Sequence, residues 1–152
     1  MHRRTLIFGP LALYATACRA AAWTLVTKQE FEDSLAATQP LSRSVRPASK
    51  LSDGPIIEVA QPDETKPIRP PVTIRINFRP KEGATIDLTS FRVTYGSLGL
   101  DITTRIIEHA HLSASGILAK NADLPAGHHR VTLQIADNMH RVGIRMFEFT
   151  VL

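Results

Sequence analysis

The sequence is poor in residues on which many exported and catalytic proteins depend. It contains one cysteine, Cys18, in an N-terminal segment that we expect to be removed. A mature chain without cysteine has no disulfide, no thiol nucleophile and no cysteine-ligated metal. Its stability must therefore come from the packing of its core.

The chain also lacks a strong excess of charge of one sign. Its 152 residues include 18 Lys and Arg against 14 Asp and Glu, a formal net charge of +4. Arg3, Arg4 and Arg19 lie in the segment expected to be removed, and without these three the mature chain has a net charge of about +1. Nucleic-acid binders carry a strongly basic face, so we predict no nucleic-acid partner.

Motifs for the commoner kinds of chemistry are missing as well. The sequence has no glycine-rich phosphate loop, no Gly-x-Ser-x-Gly element and no recognisable pair of base and nucleophile. Asp101, which precedes Thr103, is interpreted as a residue that caps its own turn. Asp137-Asn138 is interpreted as a turn, because calcium needs six or more oxygen ligands. We predict that the chain is not an enzyme and uses no cofactor.

Residues 1–22 have the layout of a signal peptide. A basic start, Met1–Arg4, precedes the apolar stretch Thr5–Ala17, which is too short to span a bilayer. Ala20-Ala21-Ala22 then supplies the small residues of a cleavage site. We predict a periplasmic or secreted protein with no stable membrane insertion after cleavage.

Two other export routes remain open. Arg3-Arg4-Thr5-Leu6-Ile7 loosely resembles a twin-arginine signal. Ala15-Thr16-Ala17-Cys18 loosely resembles a lipobox, which would leave Cys18 as a lipidated anchor. A lipobox usually has Leu where this chain has Ala15, so cleavage after Ala22 is favoured.

Residues 23–54 are predicted to form a short helix and a linker rich in proline and serine. Thr27 and Glu30 have the spacing of a capping box, and Val26 and Phe31 fall at the positions of a hydrophobic staple. The helix is expected from Lys28 to about Ala37. The linker follows, with three basic residues among its prolines and serines.

Residues 55–152 show the pattern of an all-β domain. Short runs alternate apolar and polar residues, as in Val72–Phe78, Phe91–Tyr95 and Val131–Ala136. Turn-forming residues separate about seven such runs, so we predict a β-sandwich. The less regular stretch from Ile102 to Leu112 is predicted to form one or two short strands.

Two segments of this domain carry a recognisable pattern. The segment 123–137 contains a Leu-x-x-Gly turn, an alternating strand and an Asp that opens the last hairpin. Ser90–Gly96 is a strand and turn followed by the Asp-x-Thr element Asp101-Ile102-Thr103. Both segments resemble the corresponding parts of exported bacterial immunoglobulin-like domains. The resemblance covers residues 55–152 and implies an immunoglobulin-like β-sandwich. It indicates no particular function, because such sandwiches serve many.

Five residues at one end of this sandwich are the candidates for binding a protein partner in the cell envelope. In an immunoglobulin-like arrangement the loops 79–82 and 138–141 should lie at the same end. Met packs adaptably and Arg is enriched in interfaces. The candidates are Arg79, Lys81, Met139, His140 and Arg141.

The histidines suggest an alternative, a periplasmic ligand- or metal-binding protein. His109 and His111 are two residues apart, so on a strand both would face the same side, at a spacing that suits zinc or copper. His128, His129 and His140 lie near the last hairpin. No carboxylate or thiol completes a recognised site, so no metal ligand is assigned.

The cleavage site after Ala22 gives a testable prediction, that the exported protein begins at Trp23. N-terminal sequencing or intact mass of the protein recovered outside the cytoplasm measures this directly. An intact Met1, or a lipid on Cys18, would contradict it.

Overall fold

The computed structural model describes residues 21–37 and 53–152. Most of the predicted leader, Cys18 and residues 38–52 of the predicted linker lie outside the described residues. Within the described ranges, neither helix is long and apolar enough to cross a membrane.

The described residues form two sheets that face each other. One sheet has the strand order β1-β7-β3-β2, with β6 also paired to β7, and the other has the order β5-β4-β8-β9. β1 and β6 lie end to end along the edge of β7 that β3 leaves free. The elements in chain order are β1 Trp23–Thr24, α1 Lys28–Ala36, β2 Ile56–Gln61, β3 Val72–Arg79, β4 Ile86–Tyr95, β5 Leu100–Asp101, α2 Thr103–His109, β6 Ala110–Ser113, β7 Gly116–Asp123, β8 Gly127–Asp137 and β9 Val142–Val151.

The core lies between the sheets and follows from the alternation in the sequence. Along β3 and β8 every second residue is buried, as a strand with one face turned inward requires. Phe91, Val93 and Tyr95 of β4 point into the same core. The predicted all-β sandwich is confirmed, and seven of its strands have four or more residues.

Residues 23–26 pack into this core. β1 pairs in parallel with the end of β7, and the Trp23 indole N–H donates to the Lys120 carbonyl over 2.8 Å. The indole also stacks on the His109 ring, with centroids 4.6 Å apart. Leu25 and Val26 are each 1% exposed. The chain before the predicted linker therefore contributes to the same hydrophobic core as the strands.

Helix α1 covers one end of the sandwich. The predicted capping box between Thr27 and Glu30 is present. The Glu30 carboxylate also accepts two hydrogen bonds from Arg105 of α2, at 2.9 and 3.0 Å. These bonds lower the pKa of Glu30 to about 2. Phe31 lies over Gly127, where a β-carbon would collide with its ring, so only glycine lets the helix approach this closely.

The prediction of strands from Ile102 to Leu112 is partly wrong, because the first part is helix α2. Asp101 accepts a hydrogen bond from the Thr103 amide, and the Thr103 hydroxyl accepts one from the amide of Val93 in β4. Ile102 and Ile106 are four residues apart, about one helical turn, and both are buried. That spacing is typical of a helix, and only Ala110–Ser113 is a strand.

Strand β9 is covered along its outer edge at three points. Gly54 and Gly143 allow the chain before β2 to touch the start of β9, since a β-carbon on either would collide with backbone. Arg145 donates to Glu64 over 2.6 Å in the middle of the strand. The Ile68 amide donates to the Thr150 carbonyl at the far end. These contacts close one side of the sandwich between β2 and β9.

The centre of β8 provides a test of which face points inward. Leu133 is 2% exposed and lies among apolar side chains of both sheets. We expect Leu133→Val to change stability by about 1 kcal/mol. Leu133→Asp should unfold the domain, because burying an unpaired charge costs more than a typical domain's total stability can supply. Thermal melts monitored by circular dichroism measure both.

The matched control is Gln134→Asp on the exposed face of the same strand, which should melt within a few degrees of the wild type. An unchanged melting temperature for Leu133→Asp would mean that the faces of β8 are reversed.

Candidate functional site

The two loops predicted to share an end do lie together. Asn138, at the start of the β8–β9 hairpin, exchanges two hydrogen bonds with Thr85, at the end of the β3–β4 loop. The Thr85 amide donates to the Asn138 side chain over 3.0 Å, and the Asn138 amide donates to the Thr85 carbonyl over 2.9 Å. The hairpin is therefore fixed to the neighbouring loop by its first residue.

A buried carboxylate fixes the inside of the hairpin. Asp137 is 1% exposed and accepts backbone N–H bonds from Met139 at 2.9 Å and Arg141 at 3.0 Å. The Arg141 guanidinium donates to its second oxygen over 2.8 Å. Loss of solvation raises the pKa of Asp137, but the bonds from Arg141 and Met139 outweigh that effect and leave the pKa below its ordinary value. The carboxylate is thus ionised at neutral pH and organises the turn.

The outside of the hairpin presents two side chains to solvent. Met139 is 53% exposed, and His140 is also exposed. His140 has a φ of +60°, in the left-handed region that favours glycine and, among the other residues, Asn, Asp and His. A non-glycine residue in this region is uncommon and is found more often at functional sites. The pair Met139–His140 is therefore open to solvent.

The predicted cations at this end each have an acidic neighbour. Arg79 lies 3.0 Å from a carboxylate oxygen of Glu58, and Lys81 lies 3.8 Å from one of Asp53. Arg141 is turned inward to Asp137, and its Nη2 atom is buried without a hydrogen-bond partner among the described residues. Each of the three predicted cations is therefore paired with a carboxylate.

The histidines are dispersed, which corrects the expectation of two on one strand face. His109 ends helix α2 and stacks on Trp23, whereas His111 lies on β6 opposite Leu118. His128 contacts Glu148 over 3.3 Å on the outer face of the second sheet. Across residues 21–37 and 53–152, no group of three or more His, Cys, Asp or Glu is placed to hold a metal ion.

Sequence analysis missed a buried polar pair at the opposite end of β8. His129 is fully buried, and its Nδ1 atom lies 2.6 Å from the Tyr95 hydroxyl. The alternation along β8 contained the information, because His129 shares the inward register of Val131 and Leu133. A histidine in that register has to be buried under whatever covers the end of the sheet.

No family model, no curated protein and no solved structure matches this chain.

Arg141 and Arg145 each bond to a carboxylate over a similar distance, but the partner of Arg141 is buried and the partner of Arg145 is partly exposed. Replacing each arginine tests whether this difference in burial affects stability. Arg141→Ala should lower the free energy of unfolding by about 2 kcal/mol, since it leaves a buried carboxylate without its charged donor. Arg145→Ala removes a bond to Glu64, whose side chain is 35% exposed, and should lower the stability by less than about 1 kcal/mol. Urea denaturation at pH 7 measures both. Equal losses would contradict the role assigned to Asp137.

Proposed function

We propose that this protein is an exported, non-catalytic, immunoglobulin-like binding module. Its partner is a protein of the periplasm or cell envelope, and the contact is made at the end of the sandwich that carries the hairpin 138–141. Met139 and His140 make the central contact, with Arg79, Lys81 and Arg141 around them.

The order of the strands supports the immunoglobulin-like assignment. In the constant-type arrangement, one sheet has the order A-B-E-D and the other contains C, F and G. If β2 is taken as A, the strands β2-β3-β7-β6 reproduce the first order and β4-β8-β9 the second. The segment from β1 to α1 and the helix α2 are additions to that plan.

The observation that carries the binding proposal is the rigid hairpin with an exposed methionine. Asp137 fixes the turn from inside, and Asn138 ties it to Thr85. A loop that is already ordered loses little conformational freedom on binding, which favours affinity. An apolar side chain surrounded by polar and charged groups also has the anatomy of a recognition site, with an apolar centre and a polar rim.

The start of the fold supports export with cleavage after Ala22. Ala21 and Ala22 are exposed, and Trp23 is the first core residue within the part of the chain that the structure describes. A mature chain that begins at Trp23 keeps β1 and the indole contacts complete. Cleavage at this point would remove the leader and leave the sandwich whole.

Site-specific photocrosslinking in living cells tests the binding surface. A photoreactive phenylalanine analogue replaces Met139 in the exported protein, and it should form a covalent adduct of defined mass with one envelope protein. The matched control carries the same analogue at Met146, an exposed methionine (40%) on the outer face of β9, and it should give no such adduct. His140→Asn, which suits the local backbone, should weaken the adduct at position 139 without changing the melting temperature.

Other outcomes would contradict the proposed function. If positions 139 and 146 give the same adducts, or if 139 gives none while 146 does, the hairpin end is not the binding surface. Turnover of a small molecule by the purified protein would exclude the non-catalytic assignment.

A further inference from the structure

The end of the sandwich opposite the hairpin contains a histidine with no access to solvent. His129 is 0% exposed, and its ring lies between Phe149 of β9, with centroids 5.5 Å apart, and Phe31 of α1, at 5.0 Å. The hydroxyl of Tyr95, itself 1% exposed, reaches its Nδ1 atom. Helix α1 is therefore the outer cover of a buried imidazole.

The hydrogen bonds of His129 require one neutral tautomer. Its Nε2 atom lies 2.8 Å from the Pro125 carbonyl, which can only accept, so Nε2 carries the proton. In the neutral ring, Nδ1 then accepts the hydrogen bond from the Tyr95 hydroxyl. Both ring nitrogens and the hydroxyl hydrogen are satisfied in this state.

Protonation of Nδ1 would bury a charge and reverse the hydrogen bond to Tyr95, whose oxygen would then accept from the ring. The imidazolium would bring a charge under the Phe31 ring, and the Tyr95 hydroxyl hydrogen would lose its acceptor, since His129 is its one hydrogen-bond partner among the described residues. A buried charge and a buried unpaired donor are both unfavourable. Exposing His129 to water relieves both.

Helix α1 is the element that can move to provide that exposure. None of its residues is buried, and it is short enough to be marginal without its contacts to the domain. Phe149 and Tyr95, in contrast, belong to long strands that are each hydrogen-bonded to β8. Helix α1 is therefore held in place much less strongly than the strands β4 and β9 beside His129.

We propose that α1 is an acid-sensitive cover, released from the end of the sandwich when His129 takes up a proton. The released state exposes the His129 ring and the apolar surface around Gly127, and it leaves both sheets intact. The partner-binding hairpin is at the other end of β8, so this proposal does not depend on the function proposed above.

The charged groups around His129 do not remove this sensitivity. On α1, Glu30 is held by Arg105 of α2, and with a pKa of about 2 it keeps its charge throughout mild acid. His128 points to the opposite face, beside Glu148 of β9. Burial raises the pKa of Tyr95, so the phenol stays neutral. The connection 124–126 contains no charged residue.

The direction of the pH effect follows from the burial of His129. Burial lowers the pKa of His129 below its ordinary value of 6.5, so the covered state holds fewer protons than the released state. The contribution of neutral His129 to docking is fully present above about pH 6.5 and is lost as the pH falls. The equilibrium constant for release should rise about tenfold per pH unit below 6.5, until the pKa of the covered state is reached.

Hydrogen–deuterium exchange of the exported protein between pH 7.5 and 5.0 tests the proposal, with rates corrected for intrinsic exchange. Protection of the α1 amides, such as those of Phe31 and Ala37, should fall about tenfold or more, while amides in the centre of β8 stay protected. His129→Gln, which cannot titrate in this range, should abolish the pH dependence. His128→Gln, at the exposed neighbour, should keep it.

Tyr95→Phe provides an independent variant should His129→Gln fail to fold. Without the phenol, the covered His129 ring has no donor to Nδ1 when neutral and no acceptor for Nδ1–H when protonated, so the covered state is weakened and the midpoint of release should move to higher pH. Release should still increase with acid in this variant, because His129 remains to titrate. The proposal is overturned if wild-type α1 stays protected at pH 5.0, if His129→Gln keeps the pH response, or if Tyr95→Phe abolishes it.

Discussion

The burial of two alternating sheet faces against each other is the constraint on which the structure depends. Apolar residues at every second position of β3, β4 and β8 have no other way to leave water. A two-sheet sandwich is nevertheless open along two sides and at two ends. The rest of the chain consists largely of the parts that close them: β2 and its loop on one side, α2 on the other, α1 at one end and the hairpin at the other.

Strand β8 shows how the closing parts depend on the core. Its inward positions are apolar in the middle, at Val131, Leu133 and Ile135, and polar at both ends, at His129 and Asp137. These polar groups are buried with hydrogen-bond partners: His129 bonds to Tyr95 of β4 and to the Pro125 carbonyl, and Asp137 accepts from the hairpin amides. The Phe31 ring of α1 covers His129. One strand thus fixes the core with its centre and organises a different cover with each end.

The sequence predicted the parts of the fold that depend on local patterns. Strand alternation located β3 and β8, and the spacing of Thr27 and Glu30 located the start of α1. It did not predict the two-residue strand β1, since two residues carry no periodicity, or the helix α2, whose signal was only the pair Ile102 and Ile106. The position of α1 depends on contacts between residues about 100 positions apart, such as Phe31 with Gly127, and no local pattern reports such contacts.

The proximity of two loops was predictable, but the use of their residues was not. The sandwich topology predicted the loops 79–82 and 138–141 at one end, and Asn138 bonds to Thr85 in the β3–β4 connection. The sequence could not show that Arg141 turns inward, because that depends on the burial of Asp137. An exposed arginine and one that holds a turn look the same in a sequence.

The two ends of β8 also differ in the pH range over which they are stable. The hairpin end rests on an ionised carboxylate whose pKa lies below its ordinary value of 3.8, so its stabilisation persists above that value and is lost only in stronger acid. The α1 end rests on a neutral imidazole, whose contribution begins to decline near pH 6.5. The eight residue-to-residue steps from His129 to Asp137 span about 27 Å of extended chain, and the sheet separates the two ends. Mild acid can therefore act on one end of the molecule while the hairpin keeps its shape, which makes the cover and the proposed binding surface separable by experiment.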